Sequence, residues 1–200
     1  MKAKKITEHA SEAGADAIKF QKFTAKELAE PNHEYYALYK KLEMSNKEWK
    51  ELVTYAKSKN LKVFVDVFGV KSAKEISQLD IDGYKIHSSD LSNPFLLEFL
   101  ANEKKSILLS TAGCLLNEID EALRILLKNK KEIVLMHGFQ GYPTHVEDLN
   151  LLRIPELRKK YGLSVGLMDH VAGDSRAALM IPLLGISLGS TVIEKHITID

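Results

Sequence analysis

The sequence has one cysteine, little excess charge and no long apolar run, and each shortage excludes a class of protein. Cys114 alone excludes a disulfide framework and a zinc site built from several cysteines. Twenty-eight basic and 27 acidic residues leave a net charge of +1, which provides no strong field for nucleic acid or anionic lipid. The most apolar stretch, 177–193, is interrupted by Pro182 and is shorter than the about 20 apolar residues of a membrane span. We therefore expect neither a nucleic-acid nor a membrane partner.

Two common nucleotide-binding motifs are also missing. None of the eleven glycines forms a Gly-x-Gly pair, and no glycine precedes a lysine, which disfavours the usual dinucleotide and triphosphate loops. The amino terminus passes from lysines into polar residues rather than into an apolar segment, so no secretory signal is visible. With 45% apolar and 28% charged residues, the composition predicts a cytoplasmic protein whose residues 1–200 form a single domain.

Short apolar runs alternate with amphipathic helical patterns along the whole chain. This alternation predicts an α/β fold with parallel strands, because each return to a parallel neighbour requires a crossover helix. An eight-stranded (β/α)8 TIM-type barrel that lacks its first strand and last helix fits the pattern, and a doubly wound open sheet is the alternative. The predicted strands are 17–21, 62–67, 84–86, 106–110, 132–136, 164–168 and 190–195. The predicted helices are 1–14, 46–59, 72–79, 93–101, 117–128, 154–161 and 175–184.

Two of the predicted strands contain a lysine. Lys19 and Gln21 lie two residues apart on the first of them, so their side chains share a face. Lys85 lies in a similar position in the third. A lysine in a strand covered on both faces must reach the open end of the barrel or meet an anion, because burying an unpaired ammonium is too costly. A structural role explains either lysine alone, whereas two on separate strands favour an anionic substrate.

Four of the seven histidines fall at strand ends, where barrel enzymes place their chemistry. They are His87, His137, His170 and His196. The strands before His170 and His196 are consecutive, so two imidazoles on neighbouring strands could share one divalent ion. Histidines held by hydrogen bonds at a polar barrel end explain the spacing equally well, and both interpretations stay open here.

Polar groups also follow other predicted strands. Ser110 ends one strand, and its hydroxyl and the next backbone amides suit a phosphate, although a helix cap explains them almost as well. The segment 137–144 contains two glycines and Pro143, a composition typical of a shaped loop over a pocket. Tyr142 offers a phenol at the tip of this loop, where ordinary loop packing is the alternative role.

Several of these segments together resemble the sialic acid synthase family, which includes N-acetylneuraminate synthase and its legionaminate and pseudaminate relatives. The motifs are Gly-Ala-Asp-Ala-Ile-Lys-Phe-Gln at 14–21, Tyr-Pro-Thr-His-Val-Glu-Asp at 142–148 and Glu-Lys-His at 194–196. They occur in the family's order along nearly the whole chain, and the set is far more specific than any one motif.

The resemblance implies a barrel enzyme that condenses phosphoenolpyruvate with an N-acyl hexosamine resembling N-acetylmannosamine. The products would be a nine-carbon 2-keto acid of the sialic acid type and phosphate. The resemblance also assigns roles to residues. It places Lys19, Lys85, Ser88 and Ser110 on phosphoenolpyruvate, Gln21 and Tyr142 on the sugar, and His170 and His196 on a divalent ion, Mn²⁺ with Mg²⁺ or Co²⁺ as alternatives.

The sequence departs from the family's pattern at several positions. Asp90 stands where the family has a glutamate near the reacting carbons, and we assign it to proton transfer or to stabilising a cationic C2. Met168 replaces a serine, and Val65-Asp66-Val67 replaces Ser-Thr-Pro, which removes possible phosphate contacts. We expect the family's first strand and its C-terminal antifreeze-like domain to be absent. Two open strand edges would favour a homodimer.

Two other interpretations stay open. One is a different phosphoenolpyruvate-dependent 3-deoxy keto-acid synthase, or an aldolase of the same barrel form. Such enzymes usually carry extra arginines for a second phosphate, whereas most of the four arginines here fall on predicted helix surfaces. The other interpretation is an inactive barrel fragment.

Overall fold

The structure is a computed structural model that describes residues 2–129 and 132–199. Its strands form one parallel sheet in which each strand pairs with the next along the chain, from β1 to β7. This order is that of a (β/α) barrel, whereas a doubly wound sheet would reverse direction at a switch point. The seven strands are β1 (Ala17–Lys22), β2 (Lys62–Val67), β3 (Gly83–Ile86), β4 (Ser106–Ser110), β5 (Ile133–His137), β6 (Ser164–Asp169) and β7 (Val192–Lys195).

Helices connect the strands and cover their outer face. Ser45 caps α4, since its side chain accepts from the Glu48 amide while Glu48 reaches back to Ser45. The α-helices are α1 (Lys2–Glu12), α2 (Ala25–Leu28), α3 (Tyr36–Leu42), α4 (Asn46–Ser58), α5 (Val70–Ser77), α6 (Pro94–Asn102), α7 (Leu116–Leu126), α8 (Arg153–Tyr161) and α9 (Ala177–Ser187). Short 3₁₀ turns lie at Ser88–Ser92, Leu127–Asn129 and Val146–Asp148. In the described part of the chain, no helix is long and apolar enough to cross a membrane.

The predicted strands and helices are confirmed to within a few residues at their ends, apart from Met1, which lies outside the described residues. Two helices were not predicted, α2 and α3, both in the connection between β1 and α4. The α3 helix buries none of its residues, although Leu38, Tyr39 and Leu42 follow helical spacing in the sequence. The helix predicted at 175–184 ends three residues before the end of α9, which continues through Pro182 to Ser187.

Alternate residues of each strand face opposite sides of the sheet. The outward set packs under the helices in the main apolar core, as Tyr84 and Ile86 of β3 do. The inward set on β4, β5 and β6 forms a second, smaller apolar cluster that includes Leu108, Met136 and Met168. Gly166 belongs to this inner face, and a Cβ there would come within 2.6 Å of the Met136 sulfur. The glycine therefore makes room for the methionine that fills the barrel.

The sheet is curled, because side chains from its two end strands meet inside it. The Lys19 ammonium on β1 lies 3.6 Å from the Glu194 carboxylate on β7. Two residues at opposite ends of a seven-strand order can approach this closely only across the interior of a barrel. The predicted TIM-type barrel is therefore confirmed as the architecture of the seven strands, and the doubly wound alternative is wrong.

Candidate active site

Four charged side chains point into the barrel and form what we call the interior charge cluster: Lys19 on β1, Asp66 on β2, Lys85 on β3 and Glu194 on β7. The Lys85 ammonium donates to both Glu194 carboxylate oxygens, at 2.8 and 3.1 Å. Lys19 lies 3.6 Å from Glu194 and 3.6 Å from Asp66. Asp66 and Lys85 are also register partners on adjacent strands. The lysines thus meet carboxylates inside the protein, which the sequence analysis had not identified.

Burial and charge act in opposite directions on the cluster's acids. Burial alone would raise the pKa of Glu194, but the ammonium groups of Lys85 and Lys19 lower it below its usual value, so Glu194 is a carboxylate. For Asp66 burial prevails and raises the pKa, despite the opposing effect of Lys19 and Lys85. Burial also lowers the pKa of Lys85, which Glu194 partly offsets. The lysines therefore stabilise the charge of Glu194 well and the charge of Asp66 poorly.

Two histidines lie together where β6 and β7 end. The ring centroids of His170 and His196 are 5.0 Å apart, and the Tyr142 ring lies 4.8 Å from His196. His170 Nδ1 is 3.1 Å from the Phe139 carbonyl oxygen, which can only accept, so Nδ1 carries the proton and Nε2 presents its lone pair. Burial lowers the pKa of His196, and the neighbouring His170 lowers it further. Both effects favour the neutral ring that a metal requires.

These features fit a divalent ion held by two protein ligands. A separation of 5.0 Å between the rings allows one ion to bond a nitrogen of each, since metal–imidazole bonds are about 2.1 Å long. Within residues 2–129 and 132–199, no group of three or more histidine, cysteine, aspartate or glutamate side chains is arranged to hold a metal. The remaining ligands of such an ion would therefore be oxygen atoms from water or a substrate.

An ion pair on the outer face of the barrel fixes the strands that carry the two histidines. Asp169 and Lys195 are register partners, and Lys195 Nζ lies 2.5 Å from Asp169 Oδ2. The other Asp169 oxygen accepts from the Val171 amide at 3.0 Å, and Lys195 also donates to the Ala178 carbonyl at 3.1 Å. Asp169 precedes His170 and Lys195 precedes His196 in the chain, so this pair holds both imidazoles in place.

The other predicted site residues lie on the strand ends and the loops that follow them. Ser110 is buried and shares the inner face of β4 with Leu108, two residues earlier. Gln21 is exposed at the end of β1, where it pairs in register with Asp66. Ser88 lies after β3, and its hydroxyl accepts from the Gln140 side-chain amide.

Asp90 lies deeper in the same turn as Ser88. Its Oδ1 accepts from Asn93 Nδ2 at 3.1 Å, and only 9% of its surface is exposed. Burial raises the pKa of Asp90, with the Asn93 hydrogen bond and the neighbouring His87 acting in the opposite direction. A carboxyl group in this state is suited to proton transfer, one of the two roles predicted for Asp90, and its role stays a prediction.

Sequence reasoning grouped His137 with the other histidines at strand ends, but its side chain points to the outer face of β5. Its Nε2 lies 2.8 Å from the Leu149 carbonyl oxygen, and burial lowers the pKa of the ring. His137 thus anchors the loop before α8. Asp66 and Glu194 were not predicted as site residues. Each lies two residues after a side chain that faces inward, Phe64 and Val192, so strand alternation could have placed both in the interior.

Comparison with known proteins identifies the family of the chain. Residues 6–200 match the NeuB family. The chain belongs to this family. An N,N'-diacetyllegionaminic acid synthase of Campylobacter jejuni is 34% identical over 215 residues, covering 99% of this chain and 63% of that protein. An uncharacterized protein of Methanocaldococcus jannaschii is 35% identical over 198 residues, covering 98% of this chain and 57% of that protein.

A solved NeuB-type structure has the same fold. The N-acetylneuraminic acid (sialic acid) synthetase of Leptospira borgpetersenii, crystallised in complex with citrate, superposes with a TM-score of 0.92 and 33% sequence identity. The match covers 100% of this chain and 68% of that one. The chain spans less than two thirds of the length of the two curated relatives described above. The predicted resemblance to sialic acid synthases is confirmed.

Proposed function

We propose that this chain forms the catalytic barrel of a NeuB-type synthase that joins phosphoenolpyruvate to an N-acyl hexosamine. The observation that carries the proposal is that the His170 and His196 pair lies near the interior charge cluster, close enough for Lys19, Glu194 and Lys85 to influence the pKa of His196. The relatives named as sugar-acid synthases support the same chemistry. The product would be a nine-carbon 2-keto acid of the sialic acid type, with N-acetylmannosamine or a related sugar as acceptor.

The interior lysines would bind phosphoenolpyruvate. Its phosphate and carboxylate carry several negative charges, and ammonium groups in a mostly dry interior bind such charges strongly. Ser110 on the inner face of β4 and Ser88 after β3 would add hydroxyl donors. This arrangement would fix the enol carbon C3 toward the open end of the barrel, where Gln21 and Tyr142 would contact the sugar.

In the reaction, C3 of the enol forms a bond to the aldehyde carbon of the sugar, and the aldehyde oxygen takes up a proton. Asp90 would supply that proton or stabilise the cationic C2 that remains. Water then adds to C2 and loses one proton. The C2–O bond to phosphate breaks, phosphate leaves, and loss of the second proton of the former water gives the keto group. A divalent ion at His170 and His196, Mn²⁺ with Mg²⁺ or Co²⁺ as alternatives, would act as a Lewis acid on the aldehyde. The Glu194 carboxylate, beside Lys85, would also face the developing positive charge.

Phosphate release tests the proposal. The purified chain is mixed with phosphoenolpyruvate, Mn²⁺ and one acceptor at a time: N-acetylmannosamine, its 6-phosphate, or 2,4-diacetamido sugars. We expect release that requires both the sugar and the metal, and near-complete loss in Asp90→Ala with phosphoenolpyruvate binding retained. A folded chain that releases no phosphate with any acceptor would favour the inactive-fragment interpretation. The expected homodimer and the assignment of residues 1–200 to one domain stay predictions.

A further inference from the structure

Asp66 is a buried carboxylate whose position the proposed reaction does not explain. Only 2% of its surface is exposed, and among the described residues its Oδ1 has no hydrogen-bond partner. Its nearest cation is Lys19, at 3.6 Å from Oδ2, which is longer than a hydrogen bond. A carboxylate that is desolvated and so weakly paired is costly to a protein, and such groups are often functional.

The charges of the interior cluster are balanced before any ligand binds. Two ammonium groups, Lys19 and Lys85, face two carboxylates, Asp66 and Glu194, so their formal sum is zero. A phosphate ester with a carboxylate adds up to three negative charges among them. Glu194 can remain charged, because it forms an ion pair with Lys85 at 2.8 Å. Asp66 makes no such bond, and its charge would oppose the ligand directly.

We propose that Asp66 acts as a proton-linked control of anion binding, so that a phosphate ester enters beside Lys19 and Lys85 only as the Asp66 carboxylate takes up a proton from solvent. This inference rests on the proposed function for the identity of the ester. The protonated acid has an O–H group, and its unpaired Oδ1 would become a donor to a ligand oxygen instead of a negative charge facing it. Burial, which already favours the neutral form of Asp66, lowers the cost of this step.

Other groups around Asp66 can also exchange protons, so the assignment must be separated from them. Lys19 faces Asp66 from β1, Lys85 and His87 from β3 and its following turn, and Glu194 from β7. His196, beyond Glu194, and the ligand's own phosphate titrate as well. A substitution at Asp66 keeps these groups in place but removes a charge that raises the pKa of Lys85. The difference between wild type and variant therefore reports on Asp66 together with its effect on these neighbours.

Calorimetry tests the proposal on the 200-residue chain. Phosphoenolpyruvate and, separately, inorganic phosphate are titrated into wild type, Asp66→Asn and the matched exposed control Asp80→Asn, in buffers of different ionisation enthalpy. The phosphoenolpyruvate titrations run above pH 7.5, since the second ionisation of a phosphate ester lies at about pH 6. Inorganic phosphate ionises at higher pH, so its proton exchange is compared only between proteins at the same pH. We expect wild type and Asp80→Asn to take up about one more proton per bound anion than Asp66→Asn.

The affinity for the anion should also depend on pH and on Asp66. An anion that raises the pKa of Asp66 binds more weakly as the pH rises, so the wild-type Kd should increase with pH, and Asp66→Asn should show a flatter profile. At pH 8 we expect Asp66→Asn to bind phosphoenolpyruvate about tenfold more tightly, because one opposing charge is gone. Equal or weaker binding by Asp66→Asn, with unchanged proton uptake, would overturn the proposal.

The outcomes separate this inference from the proposed function. If inorganic phosphate shows the Asp66 effect while phosphoenolpyruvate does not bind, the proposed function fails and the role of Asp66 stands. If phosphoenolpyruvate binds identically to wild type and Asp66→Asn, the role of Asp66 fails and the proposed function stands. If neither anion binds, both are overturned. Should Asp66→Asn not fold, absence of proton uptake by wild type alone would overturn the inference.

Discussion

The inner surface of the barrel has two regions of opposite character. On β4, β5 and β6 it is largely apolar, with Leu108, Met136 and Met168 packed in one cluster and Ser110 at the end of β4. On β1, β2, β3 and β7 it carries the interior charge cluster, with lysines and carboxylates 2.8 to 3.6 Å apart. The two regions meet where the Lys85 ammonium lies 3.1 Å from the Met168 sulfur.

The apolar region and the charged region therefore have different roles, the first in stability and the second in ligand binding. The apolar region buries side chains as an ordinary core does, and its residues contribute by the area that they remove from water. The charged region holds groups that a core would normally avoid, because desolvating them costs more than their mutual attraction returns in most cases. We therefore expect substitutions in the apolar region to change stability and those in the charged region to change ligand binding.

The largest expected effect is on stability, from truncation in the apolar region. Met136 is fully buried, and Met136→Ala leaves a cavity that should lower the free energy of unfolding by about 2–5 kcal/mol. Urea denaturation measures this loss, and phosphoenolpyruvate affinity of the folded fraction should change little. If Met136→Ala kept its stability but lost affinity for the ligand, the proposed division of the interior would be wrong.

The next effect is on binding, from the charged region. Lys85→Met removes the ammonium that is bonded to Glu194, and we expect phosphoenolpyruvate to bind about a hundredfold more weakly, because a charge-assisted contact to the anion is lost. Lys62→Met, which changes an exposed lysine at the start of β2, is the matched control and should bind as wild type does. Similar Kd values in all three proteins would contradict an anion site inside the barrel.

The smallest effect is expected outside the barrel, at the ion pair behind the histidines. Lys195→Met removes the 2.5 Å contact to Asp169, so the strand ends that carry His170 and His196 are held less firmly. We expect Mn²⁺ affinity, measured by electron paramagnetic resonance, to fall about tenfold, as is usual when support behind a metal ligand is lost. Lys195→Arg should restore most of it. An unchanged Mn²⁺ Kd in Lys195→Met would show that the pair does not position the site.

The alternation of strands and helices made the fold predictable from sequence. An apolar run such as 106–110 indicates a strand that is covered on both faces. The number of residues between such runs leaves room only for crossover helices. The α3 helix was not predicted, although Leu38, Tyr39 and Leu42 follow helical spacing, and it buries none of its residues. In α9, tertiary packing tolerates Pro182, a residue that local propensity disfavours inside a helix.

The candidate site was predictable in part. Residue type and strand position identified Lys19, Lys85, His170 and His196, since cations and imidazoles at strand ends are unusual in a core. The partners of the lysines were not identified, because contacts such as Lys85 with Glu194 join strands that lie 109 residues apart in the chain. Only the closure of the barrel brings these residues together, and neither residue type nor spacing in the sequence indicates which inward side chains meet across it.

The most direct test of the account is a crystal structure with Mn²⁺ and phosphoenolpyruvate, with the ion located by its anomalous scattering. We predict one anomalous peak within bonding distance of a nitrogen of both His170 and His196, and phosphoenolpyruvate phosphate or carboxylate oxygens on Lys19 and Lys85 in the same interior. A manganese peak away from the two imidazoles, or phosphoenolpyruvate bound elsewhere on the molecule, would contradict the assignment of this barrel interior as a condensing site.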